Sequence, residues 1–191
     1  MTQYGEAFSW LARDPAWIRK LLVVGLLALL PLVGQLNLLG WTLRALENLR
    51  AERYELPPAN LGHIARGARL WLILLGCALA FAAVVGALSA AAVRAPALIE
   101  ASGLVILIAG LLLAAVQPPV WLGLAPKIAV ERPLETLAAA TLLWSGLLIG
   151  WLGVFFCAVG LVFTLPYGFA MIAGVLRVYE LQLQSPSAAP A

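Results

Sequence analysis

Arg19 to Arg44 reads R-K-L-L-V-V-G-L-L-A-L-L-P-L-V-G-Q-L-N-L-L-G-W-T-L-R. The apolar run from Leu21 to Leu43 is long enough to cross a bilayer, which needs about 20 residues. Two features argue against a plain span. Pro31 and Gly34 interrupt its middle, and Gln35 and Asn37 follow directly. Both ends are basic, with Arg19 and Lys20 before the run and Arg44, Arg50 and Arg53 after it. Lys and Arg concentrate in cytoplasmic loops, so a single span puts one cluster on the wrong side. A hairpin of two short helices over residues 15–50, turning at Pro31–Gly34, keeps both clusters together. Each arm is then ~24 Å long at 1.5 Å per residue, short for the bilayer. A single span is the alternative.

Composition sets the class around this stretch. The 191 residues are 63% hydrophobic and 11% charged, with a mean hydropathy of +0.99. Soluble domains average about 25% charged residues. There are too few charges here to coat a water-soluble surface, so the chain reads as an all-α, polytopic membrane protein. The net charge of +3 lies between the apolar runs rather than on one basic face. That excludes the nucleic-acid reading and fits loops facing an anionic leaflet.

Outward from the first run, residues 3–13 place Tyr4, Ala7, Phe8 and Leu11 on one helical stripe, which predicts an interfacial helix. Asp14-Pro15 reads as a helix start, with Asp14 as the capping residue. Residues 1–20 carry Glu6, Asp14 and Pro15 ahead of the apolar run, which is not the pattern of a signal peptide. Residues 44–69 form the most polar segment, and Pro57-Pro58 marks a loop within it.

Four further membrane helices are expected. The first spans 70–93, with Ala78, Ala82, Gly86 and Ala90 as a small-residue stripe for close helix contact. The second spans 99–116 and is closed by Gln117-Pro118-Pro119. The third spans 137–160 and carries the G-x-x-x-G pair Gly146 and Gly150. The last runs over 166–181, after a break at Thr164, Pro166 and Gly168. Residues 120–135 are a second polar loop, and the tail 185–191 reads as disordered. With both termini, 44–69 and 120–135 in the cytoplasm, eleven of the twelve Lys and Arg residues lie inside, leaving Arg94 out.

Leu29 to Gly34 (L-L-P-L-V-G) echoes Phe163 to Gly168 (F-T-L-P-Y-G), and each is followed by Leu-Arg-x-x-Glu, at Arg44–Glu47 or Arg177–Glu180. Paired broken helices point to transporter sites. Two similar short-helix ends in a biased composition give the same echo.

The stretch A-F-S-W-L-A-R-D-P-A-W-I-R-K-L-L, then L-P-L-V-G-Q-L-N-L-L-G-W, then L-R-A-L-E-N-L-R resembles a prokaryotic membrane-protein family, domain of unknown function 4013. The corresponding residues are Arg13, Asp14, Pro15 and Trp17, then Pro31 and Gly34. The family's Arg-Asn step stands here as Glu47-Asn48, and its L-P-x-W loop as Leu56-Pro57-Pro58-Ala59. The match covers roughly the first 60 residues. The resemblance implies a multi-pass helical protein of a prokaryotic inner membrane and carries no activity.

No catalytic motif stands out. His63, the one histidine, lacks partners at metal-ligand spacing and reads as a solvated loop residue. Cys77 and Cys157 both lie in apolar runs and read as small filler. No metal and no cofactor is expected. Gln35, Asn37 and Arg44 are the candidate polar membrane site. Near a Pro/Gly break, Gln35 and Asn37 either satisfy freed backbone groups or line a polar path. The expectation is a non-enzymatic membrane protein, either an accessory subunit or a transport-related or lipid-interacting module. Its partners are the bilayer and a homo-oligomer or larger membrane complex. The alternatives are a small oligomeric transporter or channel and, more remotely, a lipid enzyme in which Glu47, His63 and Glu100 converge.

Overall fold

The computed structural model of the chain describes residues 5, 9–94, 99–153 and 157–185. Among the described residues seven α-helices follow one another: α1 (Trp17–Ala28), α2 (Val33–Arg50), α3 (Ile64–Arg94), α4 (Ile99–Trp121), α5 (Ile128–Glu131), α6 (Pro133–Leu152) and α7 (Cys157–Gln184). There is no strand among the described residues. Four helices (α3, α4, α6 and α7) are long and apolar enough to cross a membrane. The chain is thus an all-α helical membrane protein.

Residues 3, 4 and 6–8 of the expected interfacial helix at 3–13, with Tyr4, Ala7 and Phe8 of its stripe, lie outside the described residues. Its described end is one 3-10 turn, Trp10–Arg13, and there Trp10 and Leu11 are buried rather than laid on a surface. The tail from 186 onward lies outside the described residues too.

The first apolar run is broken where its sequence says. Helix α1 ends at Ala28, and α2 starts at Val33. Between them the Val33 N–H donates to the Pro31 carbonyl at 2.6 Å, around Leu32 at φ 59° and ψ −58°. That is a γ-turn of the rare, strained kind. Gly34 sits against the backbone of Leu27 and Ala28, so the arms close tightly at the turn. At the other end Lys20 and Arg44 border one cleft, so the two basic clusters lie side by side. With 12 residues, α1 is ~18 Å long, well short of a bilayer.

The helices depart from the sequence reading in three places. Helix α3 begins at Ile64 rather than 70, because nothing between Ile64 and Leu70 breaks the backbone ladder. Helix α4 does not stop at 116 but runs through Pro118 and Pro119 to Trp121. Two adjacent prolines forfeit only two donors, and bonding resumes with Leu122 N–H to the Pro118 carbonyl. Third, Pro166 and Gly168 do not break the chain. Helix α6 spans Pro133–Leu152, not 137–160, and α7 runs unbroken from Cys157 to Gln184. Pro133 begins α6, where its missing N–H costs nothing.

The core lies along α2 and α7. Trp41, Ala45 and Leu46 of α2 pack with Ala170, Ile172, Ala173 and Leu176 of α7. Helices α6 and α7 form an antiparallel pair, with Thr136 Oγ1 2.7 Å from the Tyr179 hydroxyl at one end. Arg132 caps the end of α7 by donating to the Gln182 carbonyl at 3.1 Å. The α3–α4 pair differs in kind. No residue in the most apolar window of α3 is buried, against 61% in that of α7. The start of α3 packs on α2 and α4 also meets α6, but the most apolar windows of α3 and α4 present mainly exposed side chains.

Candidate functional site

The polar residues nearest the break do not form one site. Asn37 is 1% exposed, and its Oδ1 accepts the His63 N–H at 3.3 Å. It therefore caps the start of α3 from the neighbouring helix, satisfying one of the first N–H groups that a helix leaves unpaired. Gln35 is exposed on another side of α2, and Arg44 lies two turns further along. Gln35 and Asn37 line neither of the two arginine-lined clefts, and Arg44 borders one of them.

The segment 53–63 is fastened over the hairpin by a group of buried polar contacts. Asp14, 2% exposed, is their centre. Its Oδ1 accepts the Ala16 N–H, and its Oδ2 accepts both the Lys20 ammonium and the Leu56 N–H, all at 2.8 Å. Lys20 also donates to the Leu56 carbonyl at 2.8 Å. Burial alone pushes the Asp14 carboxyl up, but the Lys20 and backbone hydrogen bonds outweigh it and hold the group below its ordinary 3.8. The sequence identified Asp14 only as a helix cap, and the cap proper falls at Ala16. The Trp41 indole N–H donates to the Pro57 carbonyl at 3.3 Å. His63 is not a solvated loop residue. It is 8% exposed, with Nε2 3.1 Å from the Pro58 carbonyl.

Where α2, α3 and α7 reach this edge, arginines outnumber acids. Glu47 meets Arg44 at 2.8 Å and Arg66 at 3.4 Å. Glu180 meets Arg50 at 2.9 Å and Arg177 at 3.2 Å. Each carboxylate is shared by two guanidiniums, so each cluster keeps one uncompensated positive charge. The echoed Leu-Arg-x-x-Glu pieces are therefore i,i+3 ion pairs at two helix ends.

Two clefts open among these charges. One, of about 560 Å³, lies between α2, the start of α3 and the end of α4, and includes Glu47, Arg50, Arg66 and Arg69. The other, of about 290 Å³, is bordered by Lys20, Arg44, Arg53 and Glu55. Basic side chains outnumber acids in both linings, a charge balance that suits an anion. Glu47, His63 and Glu100 do not converge: Glu100 begins α4, while Trp121 at the other end of that helix lines the larger cleft. The two are ~32 Å apart along the axis. No cluster of His, Cys, Asp or Glu suited to a metal ion occurs among the described residues.

The expected packing residues divide. Gly168 lies against the Gly146 carbonyl and the backbone of Gly150, so the G-x-x-x-G pair sits at the α6–α7 crossing, where a small residue lets the backbones approach. Ala78, Ala82, Gly86 and Ala90 are exposed, and a Cβ on Gly86 would meet nothing within 4 Å among the described residues. The α3 side facing α4 is instead set by larger residues, with Phe81 over Gly110. Two tighter crossings are ones the sequence reading passed over. A Cβ on Gly40 would overlap the His63 carbonyl, and one on Gly67 the Leu36 carbonyl, which fixes α2 on α3. Two lone glycines, Gly40 in an apolar run and Gly67 between Arg66 and Arg69, were their only signal.

No family model, curated protein or solved structure matches the chain, so the resemblance to domain of unknown function 4013 rests on the quoted residues alone.

Proposed function

We propose that this chain is a non-enzymatic, lipid-interacting module of a prokaryotic inner membrane, with both termini and the arginine-rich edge in the cytoplasm. The observation that carries this reading is the surplus of arginine over acid at one edge, beside apolar helix surface. Anionic headgroups attract such an edge, by about 1 kcal/mol per basic residue. A second observation favours an accessory-subunit role within the same reading. The most apolar windows of α3 and α4 are scarcely buried, and the α3 residues Ala78, Ala82, Gly86 and Ala90 are exposed. A transporter site at Gln35 and Asn37 draws no support, because Asn37 is committed to the backbone of α3.

The test is reconstitution into phosphatidylcholine vesicles with and without phosphatidylglycerol. The thermal midpoint rises with the anionic lipid, and the gain shrinks as salt screens the charges. Equal midpoints in the two bilayers contradict the proposal.

A further inference from the structure

The arginine-rich edge is not uniform. Of the arginines in the 560 Å³ cleft, Arg50 is held by Glu180, and Arg66 reaches Glu47 through one nitrogen at 3.4 Å. Glu47 is already engaged by Arg44 at 2.8 Å. Arg69 has neither an ion pair nor a hydrogen bond with any described residue. Arg66 and Arg69 stand three apart on one helix, so their guanidiniums share a face. Their planar forks match phosphate oxygens in bidentate geometry.

Below these forks the cleft wall is apolar. Leu70 and Ile73 continue the same face of α3, and Val120 and Trp121 close the opposite side. Trp at the end of an apolar helix marks the headgroup level of a bilayer. The cleft thus has a cationic mouth and an apolar floor at the depth where a phospholipid changes from headgroup to chain. A free phosphate satisfies only the mouth. Among the residues lining the cleft, three arginines face one glutamate, an excess that suits an anionic lipid over a zwitterionic one.

We infer that this cleft binds one anionic phospholipid, its phosphate held by Arg66 and Arg69 and one acyl chain lying over Leu70 and Ile73. The inference rests on the lipid-interacting reading above and gives it a location. Basic pockets between membrane helices on the cytoplasmic side are suited to such headgroups.

The experiment is native mass spectrometry of the full chain in neutral detergent, exchanged with mixed phosphatidylglycerol and phosphatidylcholine. Wild type retains one phosphatidylglycerol. Arg69→Gln lowers that retention about tenfold, the equivalent of one lost charge-assisted contact. Arg19→Gln, an exposed charge on α1, leaves it unchanged. The Arg69 variant keeps the wild-type thermal midpoint in neutral detergent, since no ion pair or hydrogen bond to a described residue depends on that side chain. Excess inorganic phosphate does not displace the lipid; displacement would show a phosphate site and overturn the lipid assignment. Equal retention by Arg69→Gln and wild type, or equal losses in the Arg69 and Arg19 variants, also overturns the site. If wild type shows no preference for phosphatidylglycerol at all, the broader reading fails with it. A preference that survives Arg69→Gln removes only this cleft.

Discussion

The Cα of Gly25 on α1 faces the carbonyl oxygen of Val162 on α7, and a Cβ at Gly25 would overlap that oxygen. Val162 is also the residue whose helical donor Pro166 removes, four positions along. The proline frees a carbonyl inside an apolar helix, and the glycine lets a neighbouring backbone approach it. A Cα–H to carbonyl contact of this kind contributes about 0.5–1 kcal/mol. It explains why α7 passes through Pro166 unbroken: the freed group has a neighbour on α1. Gly25→Ala forces the two helices apart and lowers stability by about 1–3 kcal/mol. Gly86→Ala, at a glycine with nothing within 4 Å, is the control and is neutral or slightly stabilising. Thermal or denaturant unfolding in micelles separates the two.

Asp14→Asn keeps an acceptor for Ala16 but turns an N–H₂ donor toward the Lys20 ammonium and the Leu56 N–H. The expected loss is about 2–4 kcal/mol. The wild-type carboxyl is held below its ordinary 3.8. Its contribution is therefore complete above that value and is lost as pH falls through the lower folded value. An acid titration of stability shows this decline in wild type and less of it in the variant. Parallel acid profiles for the two proteins contradict the assignment.

Helix α2 ends in a Schellman arrangement. The Glu52 N–H donates to the Leu49 carbonyl at 3.1 Å and the Arg53 N–H to the Asn48 carbonyl at 2.8 Å. Glu52 takes the left-handed position, at φ 56°, where glycine is the usual residue. Glu52→Gly raises stability by about 1 kcal/mol. Its side chain is exposed, so little packing is lost. A lowered midpoint contradicts this reading of the turn.

Asn37→Ala removes the cross-helix cap on α3 and costs about 1–2 kcal/mol. Lipid retention at the Arg66–Arg69 cleft is unaffected, because Asn37 does not line it. A variant of wild-type stability that loses lipid reverses the role given to Asn37.

Local signals carried much of the fold. The break at Pro31–Gly34 was legible because proline, glycine and two basic flanks agree on it. The membrane class was legible from the shortage of charge. Pro166 carried the same local signal as Pro31, yet its helix continues, because the answer depends on Gly25, about 140 positions away. The outward stripe on α3 shows the same limit. Spacing places Ala78, Ala82, Gly86 and Ala90 on one face, but it does not say which face meets α4. Of the candidate site, the repeated Leu-Arg-x-x-Glu of Arg44–Glu47 and Arg177–Glu180 was legible, at a spacing that allows pairing on a helix. The cleft was not, since it needs Arg66 and Arg69 of α3 beside Arg50 of α2 and Trp121 of α4.

The lipid that leaves the native membrane with the chain tests the central claim most directly. Extracted into polymer-bounded discs without detergent, the protein should carry a higher share of anionic phospholipid than the surrounding bulk membrane, and Arg69→Gln should lower that share. A disc composition equal to the bulk, unchanged in the variant, contradicts the account.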